Sequence, residues 1–218
     1  PNFFSRLMQR CRKSPKGELI PLVKICGITN TTDADISVKA GADVLGFILA
    51  PSKRQINISD IEKFASYGVL KVAVVKDSNT DLICKLRKLL EKGIIDGVQF
   101  HGDESLALVQ SFKGNAYKAI SLESPAEAAD DLFAPLSLYD KPKGALNDSF
   151  GLSFNASFSG ALQGGFIAGG ITPQNLGSML EMFNPLLIDI ASGVENSPGV
   201  KDHSKINEIF SIMENIYG

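Results

Sequence analysis

Residues 22–49 read LVKICGITNTTDADISVKAGADVLGFIL. An apolar run, Leu22–Ile28, is followed by a polar stretch and then by a second apolar run, Val44–Leu49. Between them Asp33–Ala40 reads as a helix, with Thr31 or Thr32 placed to cap its first turn and Gly41 placed to end it. Strand, helix and strand in about thirty residues form the unit from which parallel sheets are built.

The unit repeats along the chain. Lys71–Val75, Gly97–His101, Tyr117–Leu122, Leu136–Asp140, Gly165–Gly169 and Leu186–Ile190 are further short apolar runs, bringing the predicted strands to eight. Val72–Val75 and Leu186–Ile188 are apolar without alternation, as expected of strands covered on both faces. Helical stretches fill the intervals. One follows a Ser59 cap and ends near Tyr67–Gly68, and Asp81–Lys92 sets Leu82, Leu86, Leu89 and Leu90 on one stripe before Gly93. Ser105–Phe112, Pro125–Leu132, Pro173–Met182 and Ser204–Ile216 supply most of the others, and only the stretch after Asp140 opens on a long irregular loop. Eight β–α units predict an α/β fold, a single (β/α)8 TIM barrel over residues 21–218 with phosphate-binding loops after strands seven and eight. A doubly wound open sheet would carry a Gly-rich dinucleotide turn after its first strand, and none is present.

Composition narrows the function classes. The chain has 218 residues, 44% hydrophobic and 21% charged, enough apolar material for one substantial core. Its 22 basic and 24 acidic residues leave a charge of -2, so nothing argues for a nucleic-acid partner. Cys11, Cys26 and Cys84 are odd in number and far apart, which points to a reducing compartment, the cytoplasm, rather than to a disulfide scaffold. No apolar run reaches the ~18 residues of a membrane helix, so no membrane partner is expected.

Residues 1–20 stand apart as a basic N-terminal extension. Arg6, Arg10, Arg12, Lys13 and Lys16 face only Glu18, a local net charge of +4. The segment lacks the apolar centre of a secretory signal and is expected to be a structural appendage. It reads as a trimmed targeting remnant (which would make the location organellar), a linker, or an extra helix carrying Phe3, Phe4, Leu7, Met8 and Cys11. A start at Pro1 rather than Met fits removal of something upstream.

In a barrel the strand C-terminal ends build the active site, so the strand list doubles as a site prediction. Strands seven and eight end in Ala168-Gly169-Gly170-Ile171 and Ala191-Ser192-Gly193-Val194. Such glycines let a phosphate approach backbone amides, or they serve only to make tight turns. Strand one ends at Cys26, either a small buried hydrophobe or, with a lowered pKa, a thiolate base. Asp140 closes strand six, as a helix cap or an acid. Lys53 and Arg54 follow strand two, as a solvated turn or as a clamp for a carboxylate. Strand four ends in Gln99-Phe100-His101. With His101 and His203 the only histidines, far apart in the chain, no metal site is expected.

Six motifs in order carry a resemblance. Lys24-Ile25-Cys26-Gly27-Ile28-Thr29, Gly41-Ala42-Asp43 with Gly46-Phe47, Ser52-Lys53-Arg54, Val98 through Glu104, Ala168-Gly169-Gly170 with Pro173 and Asn175, and Asp189 through Glu195 resemble the phosphoribosylanthranilate isomerases of tryptophan biosynthesis. The last of these continues through Pro198-Gly199-Val200-Lys201-Asp202, and the likeness runs from about residue 22 to the C-terminus. It implies an Amadori rearrangement of N-(5-phosphoribosyl)anthranilate without cofactor or metal, with Cys26 as general base and Asp140 as general acid. Arg54 would hold the anthranilate carboxylate. Gly169, Gly170, Ser192 and Gly193 would hold the phosphate, and Lys24, Gln99, His101 and Asp189 would complete the pocket. The partner implied is a small phosphorylated substrate, with association or fusion to other tryptophan-pathway enzymes as a further expectation.

One loop departs from the family. Where its members carry a glycine-rich run and a Phe-Asp-Trp-like stretch, this chain has Asn147-Asp148-Ser149-Phe150-Gly151-Leu152-Ser153-Phe154-Asn155 and no tryptophan anywhere. Asp148 beside an anionic substrate would lower affinity unless it points outward. The departure leaves two alternatives, a catalytically silent barrel acting as a docking or phosphate-binding partner and another sugar-phosphate isomerase.

Overall fold

The computed structural model describes residues 1–129, 131, 137–140 and 156–218. The departing span 147–155 and the expected helix end at Leu132 lie outside them. Eight strands form a closed parallel barrel: β1 Leu22–Cys26, β2 Val44–Ile48, β3 Leu70–Val75, β4 Gly97–Phe100, β5 Ala116–Ser121, β6 Ser137–Asp140, β7 Phe166–Ala168 and β8 Leu187–Ile190. Each strand pairs with its successor, and β8 closes on β1 in the register Leu187 to Leu22 through Ile190 to Ile25. The expected (β/α)8 barrel is the fold that forms.

Alternation along the strands separates two cores. Val23, Ile25, Leu45, Phe47, Ala73 and Val75 belong to the larger cluster beneath the helices, whereas Leu22, Cys26, Val44, Val72 and Val74 belong to the barrel interior. Both faces are thus buried, which accounts for the near-continuous apolar runs. Each fully buried Leu, Ile or Phe contributes roughly 1.5–3 kcal/mol.

The helices are α1 Phe3–Met8, α2 Thr31–Ala40, α3 Thr80–Glu91, α4 Leu106–Gln110, α5 Pro125–Ala129, α6 Ser159–Leu162, α7 Pro173–Phe183 and α8 His203–Tyr217. Two caps differ from expectation. Helix α2 starts at Thr31, and Asn30 caps it by accepting a hydrogen bond from the Asp33 amide at 2.8 Å. After β2 the chain makes a 3-10 helix, Ile58–Phe64, preceded by Asn57 without a side-chain cap, so Ser59 lies inside the element it was expected to cap.

The N-terminal segment is anchored in the barrel by two side chains of its helix. Phe3 and Leu7 of α1 are buried in the interior cluster, where Phe3 stacks on Tyr117 with ring centroids 5.6 Å apart. Gly97 makes the room, since a Cβ there would stand 2.8 Å from the Phe3 ring. A short hairpin follows, Arg12–Lys13 pairing with Leu19–Ile20. Arg12 bonds both oxygens of buried Asp43 at 2.9 and 3.2 Å, and Arg6 pairs with buried Asp96. The basic character of this segment therefore answers two carboxylates that stand just before β2 and β4. Alpha1 closes the end of the barrel where the strands begin, opposite the predicted site.

Candidate active site

The C-terminal ends of the strands surround a cavity of about 190 Å³. Cys26 from β1, Gln99 from β4, His101 just beyond it, Asp140 from β6 and Asp189 from β8 all line it. Gly169, Gly170, Ser192 and Gly193 complete one side, while Ile48, Val74 and Leu138 supply apolar walls. Nine of the predicted residues thus meet in one place. Lys24 lies directly beneath, fully buried, and Arg54 lies outside the lining.

Gly46 explains how Cys26 and Lys24 fit. A Cβ at this β2 position would stand 2.7 Å from the Cys26 sulfur and 2.9 Å from Lys24 Cε, so the side chains of β1 occupy the space a larger residue would take. Lys24 Nζ donates to Asp189 Oδ2 at 2.5 Å and to Gln99 Oε1 at 2.6 Å, and it approaches Cys26 Sγ at 3.6 Å. Burial works against the ammonium, but the groups around it, Asp189 first among them, together hold Lys24 above its usual pKa. Asp189 Oδ1 is buried and has no hydrogen-bond partner among the described residues.

Burial separates the two readings of the cysteine. Burial pushes its thiol pKa up, Lys24 pulls it down, and Asp189 pushes it up again. Burial prevails over the pull of Lys24, so the resting side chain is a buried thiol and not a thiolate of lowered pKa.

On the other side of the cavity His101 Nε2 stands 3.9 Å from Asp140 Oδ2. Burial lowers the histidine pKa, although Asp140 acts in the opposite sense. His101 is therefore a neutral imidazole at neutral pH.

The glycine loops are shaped for close approach. Gly169 and Gly170 have φ of +92° and +69°, and a Cβ on Gly193 would lie 1.7 Å from the Ile171 carbonyl oxygen. Asn175 braces the first loop, donating to the Gly170 carbonyl at 2.8 Å and accepting from the Thr172 amide at 2.8 Å. Exposed amides between such loops form an anion-binding concavity.

Arg54 runs across Gly27, whose missing side chain gives its stem space. Its Nε and Nη2 are held by Glu195, which also accepts from Lys201 Nζ at 3.1 Å. Lys201 donates further to the carbonyls of Cys26 at 2.6 Å and Ala191 at 3.1 Å, tying the end of β1 to the end of β8. No role was assigned to Glu195, Lys201 or Tyr117 from the sequence. Two opposite charges flanking the Gly199 turn were the available signal for the first pair. Among the described residues no three His, Cys, Asp or Glu side chains converge to hold a metal, and no helix is long and apolar enough to cross a membrane.

Known proteins resemble this chain over most of its length. The family described as N-(5'phosphoribosyl)anthranilate (PRA) isomerase matches residues 23–212. The N-(5'-phosphoribosyl)anthranilate isomerase of Pseudomonas fluorescens SBW25 is 32% identical over 206 residues, covering 89% of this chain and 96% of its own. The phosphoribosyl anthranilate isomerase crystal structure from Thermus thermophilus superposes with a TM-score of 0.75 at 30% identity, covering 89% of this chain and 99% of its own. A further isomerase structure, in complex with reduced 1-(o-carboxyphenylamino)-1-deoxyribulose 5-phosphate, gives a TM-score of 0.74 at 28% identity and covers 89% of this chain and 99% of its own.

Proposed function

The chain belongs to the N-(5'-phosphoribosyl)anthranilate isomerase family, and from that premise we propose that it converts N-(5'-phosphoribosyl)anthranilate to 1-(2-carboxyphenylamino)-1-deoxyribulose 5-phosphate in tryptophan biosynthesis, with Cys26 and Asp140 as its acid–base pair. The observation that carries the assignment of roles is the meeting of a thiol and a carboxyl in one cavity bordered by paired glycine loops.

Asp140, protonated, gives its proton to the ribose ring oxygen as the C1–O bond breaks. The anthranilate nitrogen lone pair forms the C=N bond of a Schiff base. Cys26, as thiolate, removes the proton on C2, and the electron pair moves into a C1–C2 double bond as the iminium nitrogen regains its lone pair. The enolamine then becomes the ketone by losing the C2 hydroxyl proton and gaining one at C1. The iminium serves as electron sink, so the side chains need only move protons.

Lys24 contributes at the base. Its Nζ at 3.6 Å from the sulfur supports the thiolate once substrate has displaced water from the cavity. Amides of Gly169–Gly170 and Ser192–Gly193 receive the phosphate, and Arg54, oriented by Glu195, offers its remaining Nη1 to the anthranilate carboxylate. Gripping both ends sets the reacting carbons between base and acid.

The test is turnover of substrate generated in situ, followed as loss of anthranilate-type fluorescence. Wild type is expected to consume the signal, while Cys26→Ser and Asp140→Asn leave it nearly unchanged. A flat trace from folded wild-type protein would overturn the proposal.

A further inference from the structure

Gln99 stands between the two halves of the site. Its Oε1 accepts two hydrogen bonds, from Lys24 Nζ at 2.6 Å and from the Tyr117 hydroxyl at 3.0 Å. An ammonium can only donate, so the amide is oriented with its oxygen toward Lys24 and its nitrogen on the other side. That nitrogen lies 3.3 Å from His101 Nδ1. An amide NH2 can only donate, so Nδ1 must be the acceptor and the ring proton sits on Nε2. Nε2 is the atom that faces Asp140.

We propose that Gln99 is a positioning residue for the acid half of the reaction, imposing on His101 the tautomer whose Nε2–H points at Asp140, and that Tyr117, seated on Phe3 of the N-terminal helix, locks it in place. The inference rests on the assignment of Asp140 as general acid. When Asp140 gives its proton to the substrate it becomes a carboxylate, and an N–H dipole aimed at it stabilises that product state. The opposite tautomer would aim a lone pair at the same oxygen and oppose the transfer. Because Lys24 also neighbours Cys26, a single amide links the surroundings of base and acid.

The support comes from the far end of the barrel. Tyr117 is fully buried, and Phe3 stacks on its ring with planes 16° from parallel. Phe3 lies outside the family match, which begins at residue 23. A segment outside the family match thus bears on the catalytic centre through one aromatic pair and one amide.

The experiment is 15N NMR of full-length protein labelled at histidine, which has only His101 and His203 to resolve. A His203→Gln variant assigns the two. In the wild type His101 Nδ1 is expected in the unprotonated range and Nε2 in the protonated range. Gln99→Glu replaces the donor by an acceptor, so Nδ1 is expected to move to the protonated range. Turnover should fall about tenfold with KM changed less than about twofold, the signature of an interaction felt in the transition state. Tyr117→Phe keeps the stacked ring but deletes one lock on Oε1, and should move both readouts the same way by less. Gln99→Met gives a third reading, a mixture of tautomers, should the glutamate variant fail to fold. Protonated Nδ1 in the wild type overturns the proposal, as do folded variants that keep the wild-type His101 spectrum and turnover. The tautomer is read without substrate, so an inactive wild type would count against the isomerase assignment and not against this one.

Discussion

Glu195 grips Arg54 with both carboxylate oxygens, Nε lying 2.9 Å from Oε1 and 3.0 Å from Oε2 while Nη2 lies 2.8 Å from Oε2. The two residues are 141 positions apart, so the pair joins the loop after β2 to the loop after β8. With Lys201 on the same carboxylate, it also reaches the carbonyl of Cys26. A planar guanidinium held at two points keeps a fixed direction, which a lysine could not offer.

Glu195→Gln should therefore loosen Arg54 without removing it. The expected result is KM raised about tenfold with a smaller loss of turnover, and Arg54→Ala should raise KM further. Steady-state kinetics on the two variants decide this, and an unchanged KM in Arg54→Ala would remove the arginine from the site.

Cys26 gives a pH prediction with a definite sign. Burial raises its pKa, so the thiolate is the minor form at neutral pH and its fraction grows as pH rises toward the raised value. The rate at which a small alkylating reagent modifies Cys26, followed by mass spectrometry of its peptide, should therefore climb with pH at a log slope of about 1. Cys26→Ser should lose about 10²–10⁴-fold in turnover. An alkylation rate flat from pH 7 upward would contradict the thiol assignment.

Gly46→Ala tests the packing that seats the base. The added methyl meets Cys26 Sγ and Lys24 Cε well inside contact distance. Overpacking of this kind costs about 1–3 kcal/mol, and the displaced thiol should lower turnover more than the stability loss explains. Urea denaturation beside kinetics separates the two effects, and wild-type values for both would show that the barrel absorbs the methyl.

Phe3→Ala probes the end of the barrel that α1 closes. Emptying a fully buried aromatic site costs about 3–5 kcal/mol, visible as a drop in denaturation midpoint. Deleting residues 1–20 should do more, exposing the interior cluster and leaving Asp43 and Asp96 without Arg12 and Arg6. A truncated protein of undiminished stability would show that the segment is dispensable.

Acid should weaken the fold through two carboxylates. Burial works against ionised Glu195, yet Arg54 and Lys201 hold its pKa below its ordinary value of 4.5. Burial likewise opposes Asp33, which the Lys201 amide and His203 bring below 3.8. Both folded values lie below the unfolded ones. The stabilisation is thus complete above about pH 4.5 and is lost as pH falls through the lowered folded values. Stability measured in steps from pH 6 to pH 3 should decline, less steeply in Glu195→Gln, and equal slopes would reject the pair as a source of acid sensitivity.

The sequence by itself determined the barrel and the location of its chemistry. Eight apolar runs with helical intervals admit few arrangements, and the direction of a parallel strand assigns its C-terminal end to the face where Cys26, Asp140 and the glycine loops meet. These are consequences of local periodicity, which neighbouring residues express without knowledge of distant ones. The tertiary structure decided which side chains become partners. Arg54 finds Glu195, Tyr117 finds Gln99, and Phe3 enters the barrel through the space at Gly97 only because closing the ring brings distant segments within a few ångströms. Burial likewise decided between the two readings of Cys26, since desolvation depends on everything packed around the sulfur, and no stretch of sequence carries that information.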